Sequence, residues 1–126
     1  MTELRTPTQR LLAAAASSYG RHVQLLGPLP DVSGERVRQL VQDSGLTGRG
    51  GAGFPTSRKL AAVAGRRRAV VVANGAEGEP ASSKDRVLLL RAPHLVLDGV
   101  AVAVRATGAT EAFRTRQTTW PTGCRT

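Results

Sequence analysis

Two short stretches of this chain hold residue types that can do chemistry. Between Gly45 and Thr56 lie Gly48, Gly50, Gly51 and Gly53, with Arg49 among them, Phe54 and Pro55 after them, and Lys59 a turn into the segment that follows. A loop without Cβ atoms lets a phosphate or a planar ring approach the main chain, and the N–H groups at the start of a following helix attract anions. Arg49 and Lys59 add cationic charge, although each seen alone reads as a solvated surface residue. Glycines at 48, 50 and 53 satisfy G-x-G-x-x-G, but no strand leads into them and no acidic residue ends a second strand at the dinucleotide-fold spacing. By itself the pattern fits a tight turn as well as a cofactor loop. The second stretch, Asn74-Gly75-Ala76-Glu77-Gly78-Glu79-Pro80, has too many glycines to continue a strand and too many acids to be buried idly. It reads as a loop at a strand's carboxyl end.

The elements that must position these residues are legible from period and punctuation. Pro7 to Ser18 is a short helical candidate, followed by a Gly/Pro-rich stretch around Gly27-Pro28-Leu29-Pro30. Ser33 can cap a helix in which Val37, Leu40 and Val41 share a buried stripe and Gly45 follows the end. After the glycine loop, Pro55 suits a first helical turn, with Leu60, Val63 and Ala64 facing inward. Ala69 to Ala73 reads as a strand covered on both faces, because it lacks polar alternation. Asp85 can cap a helical stretch through Leu88 and Leu89. A further helix begins near Pro93, sets Leu97, Val100, Ala101 and Val104 on one side, and stops at Gly108. Loop, helix, strand, loop and helix in this order predict an α/β layer with a largely parallel sheet.

Composition narrows the function classes. The 126 residues allow one compact core, which at this size removes about two-thirds of the unfolded surface from water. Only Tyr19, Phe54, Phe113 and Trp120 are aromatic, so packing rests on Val, Leu and Ala. The net charge of +9 comes from 16 Arg and two Lys, but these are scattered from Arg5 to Arg125. The one run, Arg66-Arg67-Arg68, reads as a solvated turn, because no stacking aromatics or binding motif accompany it; nucleic acid is therefore not an expected partner. Cys124 is the single cysteine, which excludes an internal disulfide, a four-thiolate zinc site and a self-contained iron-sulfur cluster, and fits a reduced cytoplasmic compartment. Leu11 to Ala16 is too short for a signal or a span, and later apolar runs are broken by Arg91, His94, Asp98 and Arg105, so no direct membrane insertion is expected. His22 reads as a surface residue, and His94, beside Pro93, as a helix-start hydrogen-bonding group rather than a metal ligand.

Four motifs in order then carry a resemblance: Gly45-Leu46-Thr47-Gly48-Arg49-Gly50-Gly51-Ala52-Gly53-Phe54-Pro55-Thr56 with Lys59, Val70-Val71-Val72-Ala73 with the acidic loop, Lys84-Asp85-Arg86, and Pro93-His94. From roughly Leu29 to Phe113 the chain resembles the FMN-binding domain of the F-type flavoprotein subunit of NADH:quinone oxidoreductase, respiratory complex I. The same module occurs in diaphorase subunits of NAD-linked hydrogenases and formate dehydrogenases. The resemblance implies an α/β fold, the N-terminal part of a Rossmann-like flavin-binding domain whose three-layer sandwich is incomplete. It implies FMN as cofactor and NADH as donor. Gly48, Arg49, Gly50, Gly51, Gly53 and Lys59 would hold the flavin, and Phe54 would stack near the nicotinamide. Asn74, Glu77 and Glu79 would stand near the flavin and the nicotinamide ribose, where carboxylates accept hydrogen bonds from sugar hydroxyls. A thioredoxin-like [2Fe-2S] subunit and other subunits of an electron-transfer complex are the implied partners, with attachment to the inner face of the cell membrane through them. The family's [4Fe-4S] cluster is expected in a C-terminal domain that this sequence does not include.

Three departures bear on cofactor affinity: Ala76 stands where the family usually has aspartate, and Ser83 and Leu60 where it usually has aromatics. The domain expectation is a lead-in over residues 1–32, a partial FMN/NADH-binding domain over 33–113, and an irregular tail over 114–126. In that tail Thr, Arg, Gln, Trp, Pro and Gly replace the aliphatic pattern, with no second β run. A coding sequence truncated or shifted in frame after about Phe113 is the expectation this raises, with no NADH oxidation by the chain alone. A non-catalytic docking or assembly module, or a non-functional fragment, is the alternative. Neither His residue nor Cys124 is expected to be catalytic.

Overall fold

A computed structural model describes residues 12, 18–49, 51–76, 78 and 81–116. In chain order these form α1 (Tyr19–Leu26), α2 (Gly34–Asp43), α3 (Thr56–Val63), β1 (Val70–Gly75), α4 (Lys84–Arg91), α5 (Pro93–Thr107) and β2 (Glu111–Arg116). Of the helix expected over residues 7–18, only Leu12, which is helical, and Ser18 are described. Ser18 caps α1 instead, its Oγ accepting from the Arg21 N–H at 3.4 Å.

Local signals set most helix ends. Ser33 caps α2, its Oγ accepting from the Arg36 N–H at 3.2 Å, and Glu35 in the first turn complements the helix dipole. Pro93 opens α5 and Gly108 closes it in the left-handed region, φ 71°. Side chains differ more from expectation. On α2, Val37 is buried but Leu40 is 46% exposed, and on α3 Val63 lies at the surface. On α5 Leu97 is 53% exposed; the buried positions are Ala106 and Thr107, preceded at the helix entry by Ala92. The apolar side chains of α5 serve several directions at once, since α5 touches all six other elements.

β1 and β2 pair in parallel, with Val70 opposite Glu111, Val72 opposite Phe113 and Asn74 opposite Thr115. The α4–α5 pair, bent by 101° at its junction, is the crossover between them. Three expectations are corrected here. Strand β1 continues through Asn74 and Gly75, because the hydrogen bonds of a neighbouring strand hold these residues extended. A second β run exists, and it crosses the expected boundary at Phe113 and continues to Arg116. The sheet is not covered on both faces by the described residues: β1 alternates, and Val70, Val72 and Phe113 are 45%, 57% and 54% exposed. The tail beyond Arg116, with Trp120 and Cys124, lies outside the described residues.

Close tethers replace a large core. Arg105 Nη1 donates to the Pro30 carbonyl at 2.5 Å while its Nη2 lies 3.4 Å from Asp31 Oδ1, and Arg38 Nη1 donates to the Ala106 carbonyl at 2.6 Å. His22, expected at the surface, is only 2% exposed. Its Nε2 lies 2.8 Å from Asp98 Oδ2 on α5, and its ring stacks on that of Tyr19 and lies tilted against that of His94. That partner is 76 residues away, which local pattern does not show. His94 joins these rings at 5.5–5.7 Å. We predict that His22→Ala lowers the free energy of unfolding by about 2 kcal/mol, since a buried ring is lost and Asp98 loses its partner. Urea denaturation checks this, and a change within about 0.5 kcal/mol would contradict it. The arginine run forms the expected exposed turn between α3 and β1, with Arg66 Nε donating to the Ala62 carbonyl at 2.9 Å. Among the described residues no single helix is long and apolar enough to cross a membrane.

Candidate functional site

The glycine loop is a closed finger between α2 and α3. Thr47 and Pro55 form an antiparallel bridge at its base. The Gly48 N–H donates to the Phe54 carbonyl at 2.9 Å and the Thr56 N–H to the Leu46 carbonyl at 2.9 Å. At the tip, Gly51 and Gly53 have φ of 87° and 57°, which L side chains rarely adopt, and the space where a Cβ would stand is open at both. α3 starts without a side-chain cap; the Thr56 and Arg58 N–H groups go to the Leu46 and Pro55 carbonyls, which leaves the Ser57 N–H of its first turn to meet an anion. Lys59 reaches back from α3: its Nζ lies 5.8 Å from the centre of the Phe54 ring and 3.7 Å from where a Cβ on Gly48 would stand. Gly48, Phe54 and Lys59 are thus brought together. Arg49 is exposed beside them, and among the described residues neither cation makes an ion pair. Gly50 lies outside the described residues.

Asn74 stands at the carboxyl end of β1, where parallel sheets place their ligand crevices. Its Oδ1 accepts from the Ala76 N–H at 3.1 Å and from Thr115 Oγ1 at 3.0 Å. Beneath it, a cavity of about 170 Å³ is lined by Asn74, Gly75, Asp85, Leu88, Leu89 and Arg114, among others. Glu77 and Glu79 lie outside the described residues. No hydrogen bond or ion pair among the described residues joins the glycine finger to Asn74. Nor do these residues include any group of three His, Cys, Asp or Glu able to hold a metal ion.

This donor set fits a flavin nucleotide. Open glycine backbone accommodates a flat ring, a helix start without a side-chain cap and two cations unpaired among the described residues suit a phosphate, and an aromatic lies under one of the cations. Sequence reasoning missed Thr115 and Arg114, because it ended the ordered pattern at Phe113. The signal that could have found them is topological: a strand, a helical crossover and a helix stop at Gly108 call for a second parallel strand.

Comparison with known proteins agrees. The family model of the Nuo51 FMN-binding domain matches residues 41–117, and so runs past the boundary expected at Phe113. The F 2 subunit of NADH-quinone oxidoreductase from Rhizobium meliloti is 38% identical over 104 residues, 81% of this chain and 25% of that protein. The NAD-reducing hydrogenase HoxS subunit alpha of Cupriavidus necator is 47% identical over 76 residues, 59% of this chain and 13% of that one. Among solved structures, the NAD+-reducing [NiFe]-hydrogenase in the H2-reduced state superposes with a TM-score of 0.60 at 42% identity, covering 65% of this chain and 15% of its own. The chain spans about a quarter of the length of the NADH-quinone oxidoreductase relatives it matches. It belongs, on the family match and on this shared sequence, to the Nuo51 FMN-binding domain family.

Proposed function

We propose that this chain is part of an FMN-binding NADH dehydrogenase module, the N-terminal portion of a Rossmann-like, three-layer domain that starts at about residue 33 after a lead-in. The observation that carries the reading is the Lys59 ammonium held over Gly48 and Phe54 on a closed glycine finger. Lys59 and Arg49 would balance the negative charge of the nucleotide, and the open backbone at Gly51 and Gly53 would let the ring lie flat, with Gly48 and Gly50 as the other glycines assigned to the flavin. Phe54 would offer a stacking face to a nicotinamide. Asn74 would donate a hydrogen bond to the flavin, and Glu77 and Glu79 would accept from ribose hydroxyls. Bound FMN would supply a hydride acceptor that releases electrons singly.

The natural setting of this reading is a multi-subunit electron-transfer complex with a thioredoxin-like [2Fe-2S] subunit, in the cytoplasm or held against the inner face of the cell membrane through partners. Because the chain spans about a quarter of its NADH-quinone oxidoreductase relatives, we expect it to turn over no NADH with an artificial acceptor such as ferricyanide, with or without added FMN. Sustained FMN-dependent turnover would overturn that limit.

A second reading, a docking module without flavin, draws on Ala76, Ser83 and Leu60 and on the exposed Val72–Phe113 pair. The two separate on purification. Stoichiometric flavin in the isolated chain supports the first, whereas co-purification of a partner subunit with neither protein carrying flavin supports the second.

A further inference from the structure

We infer that Thr115 on β2 is a positioning residue that fixes the direction in which Asn74 offers a hydrogen bond to the cofactor, an inference that rests on the reading of this chain as part of an FMN site. Asn74 and Thr115 face each other across the parallel sheet. The Ala76 main-chain N–H, 3.1 Å from the Asn74 amide, can only donate, so the atom it meets is the side-chain oxygen. The Thr115 hydroxyl, 3.0 Å from the same oxygen, must then donate to it as well. Both lone-pair directions of Oδ1 are taken, and no described residue accepts from Nδ2.

Asn74 is therefore committed as a donor toward solvent, at the carboxyl end of the sheet, where it is exposed. Its ligand must present an acceptor there: a flavin carbonyl, a ring nitrogen or a phosphate oxygen. The Ala76 bond alone holds the oxygen within a turn of its own loop. The Thr115 bond ties it to a second strand, restricting rotation of the amide and polarising its N–H groups. Strand β2 is thereby part of the site, although no sequence motif marks Thr115.

Thr115→Val removes the hydroxyl and keeps a β-branched side chain suited to a strand. Titrating the full chain into FMN and following flavin fluorescence, we expect Thr115→Val to weaken binding about five-fold and Thr115→Ser to stay within about two-fold of wild type. Thermal melting without FMN should be unchanged in both variants, which a merely structural role for Thr115 would not allow. In an Asn74→Asp background, which lacks the Nδ2 donor, adding Thr115→Val should weaken binding no further. Wild-type affinity in a folded Thr115→Val variant, or an undiminished effect of Thr115→Val in the Asn74→Asp background, overturns the inference alone. Absence of any FMN binding by the wild-type chain overturns the FMN reading and this inference with it.

Discussion

Gly34→Val is expected to lower the thermal unfolding midpoint by about 10 °C or more. Gly34 is the first residue of α2, and a Cβ there would overlap the main-chain carbonyl oxygen of Arg105 on α5. Main chain cannot rotate away as a side chain can. Relief requires α2 to lift from α5, which also loosens Val37 and the Arg38 bond to the Ala106 carbonyl. Overpacking of this kind costs about 1–3 kcal/mol, a large share of a small domain's stability. Gly99→Ala is the control: Gly99 lies within α5 with open space around it, so alanine should stabilise by about 0.5–1 kcal/mol. Circular dichroism melts of both variants decide the matter. A Gly34→Val midpoint within about 2 °C of wild type would contradict the close packing of α2 on α5.

Lys59→Glu should weaken FMN binding roughly 10- to 100-fold, the range for losing a hydrogen bond to a charged group. The same change should leave stability within about 0.5 kcal/mol, because Lys59 is exposed and its described neighbours are Phe54 and Gly48 rather than a carboxylate. Rising salt should weaken wild-type binding more than that of the variant, since exposed cations are screened. Paired fluorescence titrations at low and high ionic strength check both parts. Equal FMN affinity for Lys59→Glu and wild type would remove Lys59 from the site.

What was legible in the sequence divides by range. Ser33, Pro93 and Gly108 act on their own turns of chain, so the ends of α2 and α5 follow from local chemistry. Strand β2 does not. In Glu111–Arg116 only Phe113 and Thr115 favour a strand, and Glu111, Arg114 and Arg116 leave no apolar run; the segment is extended because β1 offers it a parallel partner. The same pairing carries β1 past Ala73 into the residues expected to be loop. His22 read as surface because its partner, Asp98, is distant in sequence and its burial depends on α1 lying against α5.

At the site, the order of the motifs identified the family, and the structure places Lys59 over Phe54 and Gly48. The bond from Thr115 to Asn74 could not be read, because it exists only once two strands are in register.

The measurement that tests the account most directly is titration of the purified chain into FMN, followed by flavin fluorescence, beside a Gly50→Val, Lys59→Ala double variant. We predict saturable quenching by the wild-type chain that the variant loses. No quenching by a folded wild-type chain would contradict the FMN half-site and leave family membership as ancestry alone.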